Sequence, residues 1–267
     1  MNIATVAAAA LALSFVTQVD AQWQKVPDRN VSWAAGKPNL SGPAPRTAQR
    51  TPDLSGVWLA DPDPHGQPAG LEQAVFPRYM INIAADLKPE QDPLRPEAAK
   101  IFTERLQRDG IDSPEAHCKP IGAPRFDAFP LPYKIVQTPS LVLILLESET
   151  DFRQIFLDGR KPVEDPLPRW MGYSRGHWDG DTLVVDTTGF ADGIWLDAIG
   201  HPSTSQLHLI ERFRRLDAGH LTIEVTIEDP GAYTRAITYT QPATLQPDSD
   251  LLEYYCAENE KDAQHYQ

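Results

Sequence analysis

The sequence predicts a mostly β protein: an antiparallel up-and-down meander that closes into a lipocalin-like, calycin-type barrel and carries one short helix. Three observations support this fold class. Apolar and polar residues alternate over most of the chain from residue 133 onward, short turns separate the alternating runs, and only one stretch has helical spacing. A meander this long usually closes into a barrel, because closure removes the unpaired edge strands. A β-sandwich is the second choice.

The segment 1–21 is predicted to be a signal peptide. The first 16 residues form a short apolar run, and Val19-Asp20-Ala21 precedes an expected cleavage site before Gln22. The run is too short for a comfortable membrane span, and no later segment has the roughly 18 uninterrupted apolar residues of a transmembrane helix. We therefore expect a protein of the periplasm or a secreted protein, with no membrane association after cleavage. An uncleaved anchor is the alternative.

The composition excludes several classes of partner. The formal net charge is −13 at pH 7, and such an acidic surface repels phosphate backbones and anionic lipid heads. Neither nucleic acid nor a membrane surface is therefore an expected partner. The chain has no glycine-rich dinucleotide fingerprint and no phosphate loop, and we expect no cofactor. The oligomeric state stays open.

The chain has two cysteines, Cys118 and Cys256. Neither belongs to a C-x-x-C pair, which argues against a thiolate zinc site. An oxidising compartment favours a disulfide between them. Two separate buried thiols are the alternative.

The sequence predicts three parts of the chain, of which the signal peptide is the first. Residues 22–53 are rich in Pro and Ala and lack a hydrophobic period, which predicts a flexible arm between the signal peptide and a single β-rich domain over residues 54–267. Within that domain the helix is predicted over residues 96–109, after two prolines and before Gly110. Its apolar residues recur at helical spacing, at Ala98, Ile101, Phe102 and Leu106.

The strands are predicted from period-two alternation and from the turns between them. Two hairpins are clearest, one turning at Asp179-Gly180-Asp181 and the other at Asp217-Ala218-Gly219, because Asp-Gly and similar pairs adopt the positive φ of a tight turn. The folded part of the chain is expected to begin near residues 54–58. The later strands are predicted at 133–138, 141–147, 152–158, 172–178, 182–188, 206–216, 221–228, 233–240 and 251–256.

Two apparent motifs are disfavoured by their context. Residues 172–176 match the G-x-S-x-G nucleophile elbow, but Ser174 is followed by a turn and another strand instead of a helix. His177, Asp179 and Asp181 lie close together, yet hairpin tips commonly contain Asp-Gly and no complete calcium loop is present. The histidines show no zinc-binding spacing, and we predict no metal site.

Some polar residues fall on the inward face of predicted strands. Glu211 shares a face with Leu209 and Phe213, and Arg153 and Arg235 also share faces with apolar residues. A buried carboxylate must be paired or must have a raised pKa. A buried Glu–Arg pair with a structural role is therefore the simplest interpretation.

The functional interpretation assigns catalytic roles to five residues. Glu211 or Asp186 is the general base, and Arg153 stabilises a developing anion. Tyr233 or His201 donates the proton. These assignments follow from residue type and predicted face alone.

The segment 189–201 is too long and too aromatic for a simple turn. It is predicted to form a lid over the barrel mouth, where Phe190 and Trp195, together with Arg235, contact the substrate. Trp195 as a cap on the core is the alternative.

A set of motifs recurs along the chain in a fixed order. The central motif is the run 176–190, G-x-W-x-G-D-T-L-V-V-D-T-x-G-F, and further segments of the set are 52–58, 118–125, 156–160, 211–215 and 253–259. In these motifs the chain resembles a large family of exported bacterial proteins that are frequent in soil and aromatic-degrading bacteria; the resemblance carries no family-wide reaction. The resemblance spans residues 52–259. It implies export and a shared β-rich fold, without a catalytic assignment.

These features predict an exported barrel that binds a small apolar or aromatic molecule and acts by cofactor-independent acid–base chemistry, as a lyase, isomerase or hydrolase. A non-catalytic periplasmic carrier and a structural envelope protein are the alternatives. An enzyme is expected to show converging polar groups with shifted pKa values, whereas a carrier is expected to show an apolar cavity.

Overall fold

The computed structural model describes residues 27–62, 82–84, 87, 91, 93–108, 110–164 and 166–256. These residues contain a closed barrel of nine strands, a separate two-stranded hairpin and one α-helix. The predicted mostly β fold with a closed barrel and a single helix is confirmed. No helix in the described ranges is long and apolar enough to span a membrane. The predicted signal peptide, residues 1–21, lies outside the described residues.

The barrel strands follow one another around the ring in chain order. A small hairpin of β1 (Trp33–Ala34) and β2 (Lys37–Pro38) precedes them. The ring comprises β3 (Gly56–Ala60), β4 (Tyr133–Gln137), β5 (Leu141–Leu146), β6 (Phe152–Phe156), β7 (Tyr173–Asp179), β8 (Thr182–Thr188), β9 (His208–Arg215), β10 (His220–Glu228) and β11 (Ile237–Leu245). The helix, α1 (Pro96–Gln107), lies between β3 and β4 in the chain. β11 pairs with β3 and closes the ring.

One neighbouring pair of strands runs parallel. Nine strands cannot alternate in direction all the way around a closed ring, so at least one pair must be parallel. The parallel pair is β6 and β7. The segment 157–172 connects them and leads the chain back to the end of the barrel at which β6 begins. Every other pair is antiparallel. The structure differs from a purely antiparallel meander at this one contact.

The core fills the barrel with alternating side chains. On β10 the inward residues Leu221, Ile223, Val225 and Ile227 are each at most 1% exposed, and the residues between them face outward. Burying each such side chain stabilises the fold by about 1.5–3 kcal/mol relative to leaving it in water. The predicted face assignment of this strand is confirmed.

The described part of the predicted arm, residues 27–53, packs against the end of the barrel that carries the β7–β8 and β9–β10 turns. The Gly219 N–H donates to the Leu40 carbonyl at 2.7 Å, and Arg46 forms an ion pair with Asp181 at 2.6 Å. This segment has polar, proline-rich composition but gains fixed backbone contacts from the hairpin turns.

The opposite end of the barrel, which we call the loop end, is covered by α1 and by two irregular segments. The segment 110–132 buries Ile121 and Phe126, and the segment 189–207 buries Ile194 and Leu196. The predicted helix is confirmed, although among its residues with described exposure only Ala98 is buried.

The carboxyl-terminal part of the described chain contains the predicted disulfide and two departures from the predicted strands. Cys118 and Cys256 are bonded, with their Cα atoms 5.4 Å apart. The predicted strand 251–256 is wrong, because these residues form no ladder and are instead held to the loop end by the disulfide and by side chains such as Glu147. The predicted strand 233–240 is shifted: β11 starts at Ile237 and continues to Leu245.

Candidate functional site

An ion pair lies in the interior of the barrel between β6 and β9. Arg153 and Glu211 are 1% and 0% exposed. Arg153 Nη1 donates to Glu211 Oε1 at 2.8 Å, and Nη2 donates to Oε2. The buried Glu–Arg pair predicted from the sequence is confirmed, with Arg153 as the partner of Glu211.

Two hydroxyl groups complete the surroundings of Arg153. Its Nε donates to Ser174 Oγ at 3.0 Å, and Nη2 donates to Thr187 Oγ1 at 2.8 Å. Thr187 Oγ1 donates in turn to Ser174 Oγ at 2.9 Å. We call Arg153, Glu211, Ser174 and Thr187 the ion-pair cluster. Both carboxylate oxygens of Glu211 are held by the Arg153 guanidinium, so the geometry suits Glu211 to a positioning role.

Asp127 lies beside this cluster and is fully buried. It belongs to a short 3-10 helix, Arg125–Ala128, whose Arg125 is fixed by an ion pair with Glu115. Neither carboxyl oxygen of Asp127 has a hydrogen-bond partner among the described residues. Burial raises the pKa of Asp127 well above its usual value, the charge of Glu211 raises it further, and Arg153 opposes the shift. Burial therefore favours the protonated form of Asp127, which can donate a hydrogen bond.

Two tyrosine hydroxyl groups share the environment of Asp127. The hydroxyl oxygens of Tyr133 on β4 and Tyr239 on β11 are buried and have no hydrogen-bond partner within the described ranges. Burial, followed by the charge of Asp127, raises the pKa of both tyrosines well above the usual value. Register places Tyr239 level with Glu211, because Val225 on the intervening strand pairs with both.

We call Asp127, Tyr133 and Tyr239 the unpaired set. Together they present four buried oxygens without a partner among the described residues. Each unsatisfied buried polar group costs about 1–3 kcal/mol, so native proteins rarely leave several of them together unless water, an ion or a ligand binds there. The unpaired set is therefore the strongest candidate for a ligand site.

An aspartate–histidine dyad, Asp197 and His201, lies in the segment 189–207 at the loop end. Asp197 accepts hydrogen bonds from the backbone N–H groups of Gly200 and His201, both at 3.0 Å, and from His201 Nδ1. Burial opposes ionisation of Asp197, but the His201 ring and the backbone N–H groups of His201 and Ile83 lower its pKa overall. Because the Asp197 carboxylate can only accept, the contact assigns a proton to His201 Nδ1. His201 Nε2 is buried and has no partner among the residues described.

Packing and electrostatics connect this dyad to the rest of the site. The His201 ring stacks on Phe102 of α1 with centroids 4.1 Å apart, which fixes the plane of the imidazole. The charge of Asp197 contributes to the raised pKa of Tyr239, after burial and the charges of Asp127 and Glu211. Tyr239 thus lies within the electrostatic reach of all three carboxyl groups.

Two predicted catalytic residues are not part of the interior site. Asp186 faces outward on β8, where its Oδ1 lies 2.9 Å from Nε2 of His208. The Tyr233 hydroxyl is buried but donates to the carbonyl of Pro202 at 2.8 Å, which holds the loop end together. Their roles as base and proton donor therefore have no geometric support.

None of the three predicted substrate contacts belongs to the ion-pair cluster or to the unpaired set. Arg235 is exposed and donates to the carbonyl of Gln91. Phe190 is buried and packs where a Cβ at Gly172 would lie, and that glycine has a φ of +63°. Trp195 is 2% exposed, and its ring lies 4.8 Å from the Arg105 guanidinium.

Trp195 contributes to a cleft outside the barrel. This cleft, of about 610 Å³, lies between α1 and the segment 189–201, and its other walls include Arg108, Trp170 and Lys119. It does not include any residue of the ion-pair cluster or the unpaired set.

The sequence contained a signal for only part of the site. Tyr133 and Tyr239 alternate with the buried residues Ile135 and Ile237, so their inward direction could have been recognised. Asp127 lies in a segment without any period, and nothing in its neighbourhood predicts a buried acid.

The family resemblance noted in the motifs stays an expectation. Comparison of the chain with protein-family models, with curated proteins and with solved structures gave no match. The function is therefore inferred from the buried groups at the loop end of the barrel.

Proposed function

We propose that the barrel binds a small apolar or aromatic molecule that carries a carbonyl or hydroxyl oxygen, and that it acts on this molecule by cofactor-independent acid–base chemistry. The observation that carries this proposal is the unpaired set, whose four buried oxygens have no partner among the described residues. A ligand oxygen that accepts hydrogen bonds would satisfy the two tyrosine hydroxyl groups and the protonated oxygen of Asp127. The surrounding apolar core favours a ligand with an apolar body.

The unpaired set provides the hydrogen-bond donors. Neutral Asp127 and the hydroxyl groups of Tyr133 and Tyr239 donate to one ligand oxygen, as the raised pKa of each group permits. Donors fixed in a water-poor interior stabilise a developing enolate or phenolate far better than water does. The ion-pair cluster keeps Arg153 and Glu211 mutually neutralised beside this oxygen.

The aspartate–histidine dyad provides the base. His201 Nε2 takes a proton from the carbon next to the ligand carbonyl. The electron pair of that C–H bond forms a C=C bond, and the π pair of the carbonyl moves onto the oxygen held by the unpaired set. In a β,γ-unsaturated ketone, return of the proton to the far carbon of the dienolate completes an isomerisation. In a lyase reaction the group on the next carbon leaves with its bonding pair and takes the proton from the imidazolium. Asp197 stabilises the imidazolium formed in between.

The first test uses a tyrosine variant that removes one hydroxyl group. In Tyr239→Phe, turnover of aromatic ketones by the protein from residue 22 onward is expected to fall about 100-fold, the usual effect of removing one donor to a developing oxyanion. Product formation is followed by mass spectrometry, and binding by tryptophan fluorescence. Tyr255→Phe is the matched control, because Tyr255 is 49% exposed. Equal turnover in both variants would refute the assigned role of Tyr239.

A non-catalytic carrier is the second candidate, and a specific observation favours it. Arg153 and Glu211 satisfy each other fully, which is the behaviour of a structural core pair, and this half of the interior needs no substrate. Saturable binding of the same ketones without any product would establish the carrier function. Absence of binding would favour a structural protein.

We also propose that the protein is exported to an oxidising compartment. The disulfide between Cys118 and Cys256 supports this, because such bonds rarely persist in a reducing cytosol. In a bacterial host the full chain is expected in the periplasmic fraction, shortened by residues 1–21, whereas a chain starting at residue 22 stays in the cytosol. Full-length protein that remains in the cytosol would contradict export.

A further inference from the structure

The barrel wall is weakest at the parallel contact between β6 and β7. These strands share two register pairs, Ile155 with Ser174 and Phe156 with Arg175, whereas every other neighbouring pair of the barrel shares between three and eight. Because β7 starts at Tyr173, the first residues of β6 have no paired strand on that side.

A cleft of about 390 Å³ opens at this gap, and we call it the seam cleft. Two of its lining residues, Arg153 and Ser174, belong to the ion-pair cluster and are 1% and 0% exposed. The seam cleft therefore ends at these two residues, which separate it from the polar interior. Its volume falls within the roughly 300–1,000 Å³ that is usual for small-molecule sites.

Aromatic and apolar side chains form the walls of the seam cleft. Phe152 lines it and is 55% exposed, and Trp170 and Met171 line it from the segment before β7. The rings of Phe156 and Tyr173, also in the wall, lie 5.5 Å apart. A flat aromatic ligand gains free energy here, because it covers ring surface that is otherwise in water.

We propose that the seam cleft is the entrance to the barrel site and holds the body of its ligand, a flat aromatic ketone or phenol of one or two rings. This inference rests on the proposed function. The rings of the ligand lie against Phe152 and Trp170, and its oxygen is directed past Arg153 toward the unpaired set. The charge of Arg153 is already matched by Glu211, so a neutral ligand passes without leaving an ion unpaired.

The first test removes part of the wall. Phe152→Ala is expected to weaken binding of 2-acetylnaphthalene about tenfold, because the ligand loses most of one ring contact. Leu216→Ala is the matched control, since Leu216 is 53% exposed on the other end of the barrel. Calorimetry gives both affinities, and an unchanged affinity in Phe152→Ala would overturn the proposed placement of the ligand body.

The second test narrows the entrance. Gln154 lines the seam cleft and is exposed, so Gln154→Phe adds bulk without touching the ion-pair cluster. Stopped-flow fluorescence with 4-hydroxyacetophenone is expected to show association slowed about tenfold relative to Thr240→Phe, a matched control on an exposed position of β11. Unchanged association in Gln154→Phe would show that the ligand enters elsewhere.

The outcomes separate this inference from the proposed function. Suppose that Tyr239→Phe lowers turnover, while Phe152→Ala keeps its affinity and Gln154→Phe keeps its association rate. The interior site then stands and the seam cleft is refuted. If the native protein binds neither probe saturably, both are refuted. Binding that is about tenfold weaker in Phe152→Ala and association that is about tenfold slower in Gln154→Phe, both with unchanged circular dichroism, support the seam cleft as the entrance.

Discussion

The carboxyl group of Asp127 is fully buried and has no hydrogen-bond partner in the described part of the chain. Burial is the main cause of its raised pKa, and Glu211 adds to the effect. Because the folded state holds this proton more tightly than the unfolded state, Asp127 lowers stability as pH rises from about 3.9, the usual pKa of an unfolded aspartate, toward its folded pKa.

This linkage predicts a pH-dependent effect of Asp127→Asn. The amide stays neutral at every pH, so the variant is expected to be more stable than the native protein at pH 7 and about equally stable at pH 3. Urea unfolding between pH 3 and pH 8 measures the difference. Asp192→Asn, at an exposed position, controls for the loss of one formal charge. A stability difference that does not change with pH would contradict the neutral state assigned to Asp127.

At the scale of strands and helices, the sequence predicted whatever depends on local alternation. Hairpins such as β7–β8 and β9–β10 were predictable because their turns and their inward residues are encoded within about twenty residues. The same alternation placed Arg153 and Glu211 inside the barrel. Either Arg153 or Arg235 could have been the partner of Glu211. The alternation shows which side chains of a strand point inward, but it does not show which strand lies opposite.

Apart from the disulfide, features that depend on distant contacts were not predictable. The parallel contact of β6 with β7 follows from the odd number of strands, which no single segment reveals. Residues 251–256 alternate like a strand, yet the ring already closes through β3 and β11, so no edge is available to them. Asp127 and the Asp197–His201 dyad lie in irregular segments, where position is decided by packing at the loop end.

At the scale of the whole molecule, the irregular segments that cover the loop end of the barrel need a bond that holds them in place. Backbone ladders hold the nine strands, but the segment 110–132, which carries Asp127, has no strand of its own. The disulfide joins Cys118 in this segment to Cys256 near the end of the described chain, across 138 residues. It therefore restricts the cover that carries the candidate site and also the unfolded chain.

The last prediction follows from that loop length. Removing the bond in the double variant Cys118→Ala/Cys256→Ala is expected to lower the free energy of unfolding by about 5 kcal/mol in the chain-entropy account. Chemical denaturation of the native protein with and without reductant measures the same quantity, and reductant must have no effect on the variant. Because the bond holds the cover as well as the whole chain, hydrogen exchange around residues 119–128 is expected to increase more than exchange in β10. Equal increases in both places would mean that the disulfide acts only through the unfolded state and does not position Asp127.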